Sequence, residues 1–313
     1  VSVLIDREGC ELMELERADV TNLPENWQWP EPVKMLAADD QTDIYGVVYR
    51  PADFSPEQSY PILDFSWSNK EGCAIPCGSF TNNAVAGVGY FWPAALAQLG
   101  FIVVDIYGRG TAGRSRAFFE ADLDPKLPSS INEHDRVAGI KQLAQRYPYM
   151  DLNRVGAGGL VSTSVPISSL LGHPDFYKVG VSNGASFDIE MSSAFYGESY
   201  GDLPATRGVR PALSTWVTGL RGKLLLMHGM MHATVPVAQT LRIVDALQAA
   251  NKDFDLLLLP NEGYGMNSYA IRRSWDFFVI NLLGLEPPKE FNLTTSMDII
   301  REMKRKQMTE SSA

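Results

Sequence analysis

The sequence predicts an α/β fold: a doubly wound, mostly parallel sheet. Strand-like and helix-like segments alternate from residue 43 onward. Two of the strand-like segments, 223–228 and 254–259, are nearly continuous apolar runs, the pattern of strands buried on both faces by helices. The 313 residues, 45% apolar and 20% charged, allow one large α/β domain or two small ones.

At the N-terminus Val3-Leu4-Ile5 followed by Asp6-Arg7-Glu8-Gly9 reads as a strand and a turn. Pro24, Pro30 and Pro32 make the next stretch irregular, so 1–40 is assigned to an N-terminal arm. Residues 41–290 form the α/β domain, and 291–313 a helical tail that frays where Lys and Arg accumulate. Within the domain, 44–49 is a strand ended by Arg50-Pro51, 60–65 a second and 101–106 a third, preceded by a helix at 92–99. Val137, Ile140, Ala144 and Tyr147 recur at helical spacing and predict a helix over 133–147. A short strand at 154–158 feeds a Ser-rich turn, a helix at 166–172 and a strand at 178–181. Strand 223–228 precedes helix 237–250, with Val237, Leu241, Val244 and Leu247 on one face. Strand 254–259 precedes helix 268–283.

Composition narrows the function classes. Lys and Arg total 27 against 37 Asp and Glu, a net charge of −10, which argues against a nucleic-acid partner. No run of about 18 apolar residues occurs, so no membrane-spanning helix is expected. Of the three cysteines, Cys73 and Cys77 are near enough in sequence to bridge or bind metal, but a lone CxxxC reads better as two ordinary loop cysteines. No cofactor or metal is expected. The chain opens at Val1 without Met, signal or transit peptide, as a processed or cloned piece of something longer would, and indicates no compartment.

In an open α/β sheet, chemistry sits beyond the carboxyl ends of the strands, here the turns after 154–158, 223–228 and 254–259. The run Asp151-Leu152-Asn153-Arg154-Val155-Gly156-Ala157-Gly158-Gly159 is followed by a turn, a helix and His173-Pro174-Asp175. Later come His228-Gly229 with Val235-Pro236, and a Gly-containing turn, Glu262-Gly263-Tyr264-Gly265. Tyr107-Gly108-Arg109-Gly110-Thr111 and Tyr196-Gly197-Glu198-Ser199-Tyr200, with Leu203-Pro204, complete an ordered series. Over residues 40–285 the chain resembles the α/β-hydrolase catalytic domain of the prolyl oligopeptidase family, of the dipeptidyl-peptidase type.

The resemblance implies a serine nucleophile in G-x-S-x-G-G, with an aspartate and a histidine in the later turns. The chain departs at each of these positions. Val161 stands at the nucleophile position, and Thr163 and Ser164 replace the two elbow glycines. His232 stands at the aspartate position and Tyr264 at the histidine position. An aliphatic side chain cannot attack a carbonyl, and a phenol of ordinary pKa about 10 is a poor base near neutrality. His232 supplies no anion to orient an imidazolium. Loss of such a unit removes on the order of 10⁶ in rate in a protease where it was measured. A β-branched residue at positive φ is an outlier, so the turn is expected to have relaxed around Val161.

Other groups near these turns have two readings. Ser162 and Ser164 are fallback nucleophiles, but read better as caps of the following helix, with Pro166 in its first turn. His228 and His232 are four apart, yet lie at a strand end and in a loop, so a shared metal is not expected. His134, between Glu133 and Asp135 at a helix start, reads as a surface residue, and His173 as structural. Trp67 falls where the family places an oxyanion-hole tyrosine; its indole N–H is a donor, but packing is the simpler role. Tyr196 and Tyr200 match tyrosines that line the family's pocket for a proline-like side chain. Residues 1–20 resemble the return from a β-propeller that the chain does not contain, which leaves a face for a partner or a second copy.

Three functions are compatible with these residues. The favoured one is a catalytically inactive member of the family that binds a peptide or protein partner. The alternatives are an active serine hydrolase with a shifted nucleophile such as Ser162, and non-hydrolytic chemistry with Tyr264 as acid or base.

Overall fold

The computed structural model describes residues 1–295 except 18, 22, 24, 67–85, 122–129, 160–163, 187–190, 192–212 and 264–265, with the side chains of 66, 86–91 and 213–214 also set aside. The chain begins with a two-stranded antiparallel ribbon, β1 (Ser2–Ile5) and β2 (Glu11–Glu16). Its turn is closed by Asp6, whose carboxylate accepts the backbone N–H groups of Glu8 and Cys10, and by Gly9 at φ 86°. Every residue of both strands is exposed.

The main sheet contains β3 (Glu31–Leu36), β4 (Asp43–Tyr49), β5 (Tyr60–Ser66), β6 (Ile102–Tyr107), β7 (Met150–Gly159), β8 (Tyr177–Asn183), β9 (Lys223–Gly229) and β10 (Asp255–Leu259). Their order is β10-β9-β8-β7-β5-β6-β4-β3. The pairs from β10 to β6 are parallel, and β4 pairs antiparallel with both β6 and β3. This is the expected doubly wound, mostly parallel sheet of an α/β-hydrolase fold.

Helices cover both faces. They are α1 (Ala86–Ala97), α2 (Arg116–Glu120), α3 (Ile131–Arg146), α4 (Val165–Gly172), the single turn α5 (Leu213–Trp216), α6 (Val237–Ala249) and α7 (Ser268–Phe278). A π-helical turn, Val279–Leu283, extends α7 and ends at Gly284 in the left-handed region. Side chains start several helices as sequence logic requires. Ser115 accepts the Phe118 N–H, Ser130 the Glu133 N–H at 3.2 Å, and Asn267 the Ala270 N–H at 2.9 Å.

Successive strand residues point to opposite faces and build two cores. Ile62, Ile140, Leu143 and Val155 lie in one, and Leu63, Phe101, Val103 and Leu225 in the other, all buried. Gly156 lets the π-turn close onto β7: a Cβ there would stand 2.8 Å from Leu282 and 2.9 Å from Leu63.

Four expectations change. Residues 31–36, read as irregular because of their prolines, form the edge strand β3; Pro32 is tolerated because an edge strand has a side without a partner. The apolar run at β10 is not buried on both faces, since β10 is the opposite edge and Leu256 is exposed. On α6 the buried face is Gln239, Thr240, Ile243 and Leu247, whereas Leu241 is exposed. Glu133 and Asp135 are buried rather than solvated dipole partners, and His134 packs edge-on against His173. Among the described residues no helix is long and apolar enough to cross a membrane.

Candidate functional site

The three turns singled out by sequence leave the carboxyl ends of β7, β9 and β10. Strands β10, β9, β8 and β7 are consecutive neighbours, so the turns open on one edge-side half of the sheet. The β9 and β10 turns are laced together: Met230 N–H donates to Leu259 O and Met231 N–H to Glu262 O, both at 2.9 Å. Gly229 makes this approach possible. A Cβ on it would lie 2.3 Å from Gly263 O and 2.5 Å from Glu262 O, inside any allowed contact. Glu262 also accepts from Asn267 Nδ2 at 3.1 Å, which ties the β10 turn to the start of α7.

His232 lies in the β9 turn and is buried. Its Nδ1 faces two backbone N–H groups, Val235 at 3.0 Å and Thr234 at 3.3 Å. Those groups can only donate, so Nδ1 accepts and the ring proton sits on Nε2. Burial, helped by His228, lowers the pKa of His232 and keeps the ring neutral. The imidazole therefore organises this turn through two accepted hydrogen bonds without bringing a negative charge. His228, fully buried, has Nε2 3.0 Å from Val235 O and Nδ1 2.7 Å from Thr240 Oγ1. Both its nitrogens are spent inside the fold, so the ring is structural, as expected from sequence. Among the described residues no three His, Cys, Asp or Glu side chains gather as a metal site.

On the β7 side, Ser164 precedes α4 at φ −82° and ψ −13°, and its carbonyl takes the N–H groups of Ile167 and Ser168. Its side chain makes no capping bond, which corrects the capping role read from sequence. An αR backbone at this position starts the helical turn one residue early and turns the hydroxyl away from the N2 and N3 amides. The helix is anchored instead by Ser168, whose hydroxyl donates to the buried Glu133 carboxylate of α3. Beneath the end of β7 lies a slot of about 10 Å³, room for about one water, lined by Phe65, Trp92, Gly159, Asn183, Met266 and Trp275.

Two ion networks brace the sheet. Arg109 clasps Asp135 through Nε at 2.9 Å and Nη2 at 2.7 Å, and reaches Asp39 at 2.8 Å. Backbone N–H groups of Thr42 and Gln41, the Thr42 hydroxyl and Arg109 hold the Asp39 carboxyl down to about 2. Deeper, the Arg136 guanidinium sits 2.6 Å from Asp64, which also accepts the Tyr177 hydroxyl at 2.6 Å; all three are buried. Burial opposes the Arg136 charge, but Asp64, Tyr177 and Asp105 together outweigh it and raise the pKa. On β6, burial pushes the Asp105 carboxyl up to about 7, against a 2.5 Å hydrogen bond from Tyr107.

Of the residues predicted for the site, His232 and Ser164 are described. Val161, Ser162, Tyr264, Trp67, Tyr196 and Tyr200 lie outside the described residues, as do Cys73 and Cys77. Sequence reading missed the Glu133–Ser168 tie and the Gly229–Gly263 approach. The first had a signal, since Ser130-x-x-Glu133 is a capping-box spacing, but the glutamate turns to α4 instead.

Comparison with known proteins agrees with this geometry. The model of the prolyl oligopeptidase family, Peptidase_S9, matches residues 89–283. Human dipeptidyl peptidase 8 is 29% identical over 251 residues, covering 77% of this chain and 26% of that protein. The chain spans about a quarter of the length of the curated relatives it matches. A solved structure from Bacteroides ovatus, described as a dipeptidyl aminopeptidase IV, superposes with a TM-score of 0.74 at 24% identity, over 90% of this chain and 40% of that one. Porphyromonas gingivalis dipeptidyl peptidase 4 gives 0.66 at 22% identity, over 82% and 36%. These two likenesses speak for the fold. The family match and the ordered turns on the sheet together place this chain in the prolyl oligopeptidase family, as a serine-peptidase-like α/β-hydrolase domain of the dipeptidyl-peptidase type.

Proposed function

We propose that this domain is catalytically silent and binds a peptide or protein partner through the inherited pocket. The observation that carries the reading is the state of His232: neutral, with its acceptor nitrogen committed to the Thr234 and Val235 amides. A relay needs an anion there to fix and stabilise an imidazolium. The residue types at the other two positions, Val161 and Tyr264, agree. Tyr196 and Tyr200, matched by motif to a pocket for a proline-like side chain, are the expected binding groups, together with Trp67.

The test is intact-protein mass spectrometry after incubation with a fluorophosphonate, which attacks activated serines. No adduct is expected, and no turnover of proline-containing peptides or of an aryl ester. Calorimetric titration with proline-containing di- and tripeptides is expected to show binding that Tyr196→Ala weakens. Absence of any heat with such peptides counts against the pocket half of the proposal.

A second reading is favoured by one observation: the Ser164 hydroxyl is not used to cap α4. An adduct lost in Ser164→Ala or Ser162→Ala replaces silence with a shifted nucleophile. Ultraviolet titration of Tyr264 addresses the third reading, since acid–base work near neutrality requires a phenol pKa well below about 10.

A further inference from the structure

The helix that leaves the elbow segment is held to α3 at both ends by adjacent residues. In its first turn, Ser168 donates to Glu133. At its other end, His173 closes the helix with its own N–H on Ser169 O at 2.9 Å, and its ring packs edge-on to His134 at a centroid distance of 4.7 Å. We propose that the His134–His173 pair is an acid-released latch that fixes α4 against the α/β core.

The surroundings of the His173 ring explain the direction. Among the described residues its Nε2 is buried without a hydrogen-bond partner. The charged groups that act on it, His134 and Lys141, both belong to α3 and both repel an added proton. From β8 it meets the edge of Tyr177, whose hydroxyl is spent on Asp64. In its own turn Asp175 is paired with Arg221, and on α3 the neighbouring Glu133 is engaged by Ser168. Burial, then His134 and Lys141, lower His173 to about 4. A histidine depressed in the folded state stabilises the closed form above its free value of about 6.5, and that stabilisation is lost as pH falls toward 4. At pH 5 the closed-to-open ratio is expected to fall about tenfold, allowing for the partial exposure of the ring.

Hydrogen exchange followed by mass spectrometry between pH 7.5 and 4.5, corrected for intrinsic rates, tests the proposal on the whole chain. Peptides covering 165–176 are expected to exchange about tenfold faster at pH 5 than at pH 7.5, while peptides from β7 and β8 stay protected. His173→Phe keeps the ring contact, forms no new unmet polar group and is expected to abolish the acid response. His134→Phe is expected to shrink it, because one repelling charge is gone. The proposal fails if 165–176 and the central strands lose protection together, or if the response survives in both variants. Should His173→Phe not fold, a carbon-13 titration of the His173 ring decides: a folded-state midpoint near 6.5 overturns the latch, and one near 4 supports it.

Discussion

Gly229→Ala separates the two turns on which the site depends, and its cost can be worked from the structure. The added methyl meets Gly263 O at 2.3 Å, Glu262 O at 2.5 Å and the Glu262 carbonyl carbon at 2.9 Å. All three are backbone atoms, so no side chain can swing away. Ordinary contact lies near 3.5 Å, so the β10 turn must retreat by about 1 Å. That retreat strains or breaks the hydrogen bond from Met231 N–H to Glu262 O, now at 2.9 Å. Overpacking of this kind typically costs about 1–3 kcal/mol. For 313 residues the unfolding entropy near the midpoint is about 0.65 kcal/mol/K, which converts the cost to a Tm loss of about 2–5 °C. Scanning calorimetry at a fixed scan rate measures it. Gly263→Ala is the control: its methyl meets Met231 O at 3.5 Å, an ordinary contact, and no comparable loss is expected. Equal midpoints for Gly229→Ala and the parent would refute the close approach as a constraint on the fold.

Three further outcomes follow from the same structure. Asp64→Asn leaves the Arg136 guanidinium buried beside a neutral amide, and is expected to cost about 3–5 kcal/mol by denaturant titration; Asp64→Leu with Arg136→Met should cost less than the two single changes added. Asp105 has a raised carboxyl, so its contribution to stability is present below about pH 4 and is lost as pH rises to about 7. Asp105→Asn should therefore gain on the parent in chemical denaturation as pH goes from 4 to 8, and a constant difference would refute the assignment. Ser168→Ala removes one hydrogen bond to the buried Glu133 carboxylate at the start of α4, and is expected to lower stability by about 1 kcal/mol, read from urea unfolding.

The α/β order of the chain was legible because strand and helix periodicities are local. The runs at β5, β6, β8 and β9 and the face of α3 appear where their residues predict them. The departures have local causes as well. Proline at β3 signals irregularity, but an edge strand has one side on which a missing N–H costs nothing. Leucines at β10 signal two-sided burial, yet the strand has a neighbour only in β9, because the chain supplies no further strand on that side among the described residues.

By itself the sequence determined the class of the fold and the family. The proposal that Val161, His232 and Tyr264 stand where the family's chemistry resides rests on motif order and side-chain identity alone. Only the tertiary structure decided what the described groups do. The proton position on His232 follows from amides three-dimensionally placed by the β9 turn, the Glu133–Ser168 tie from the crossing of α3 and α4, and the need for glycine at 229 from a carbonyl arriving from 34 residues later. Hydrogen bonds and steric contacts depend on distances between segments far apart in the chain, and no local pattern of residues carries those distances.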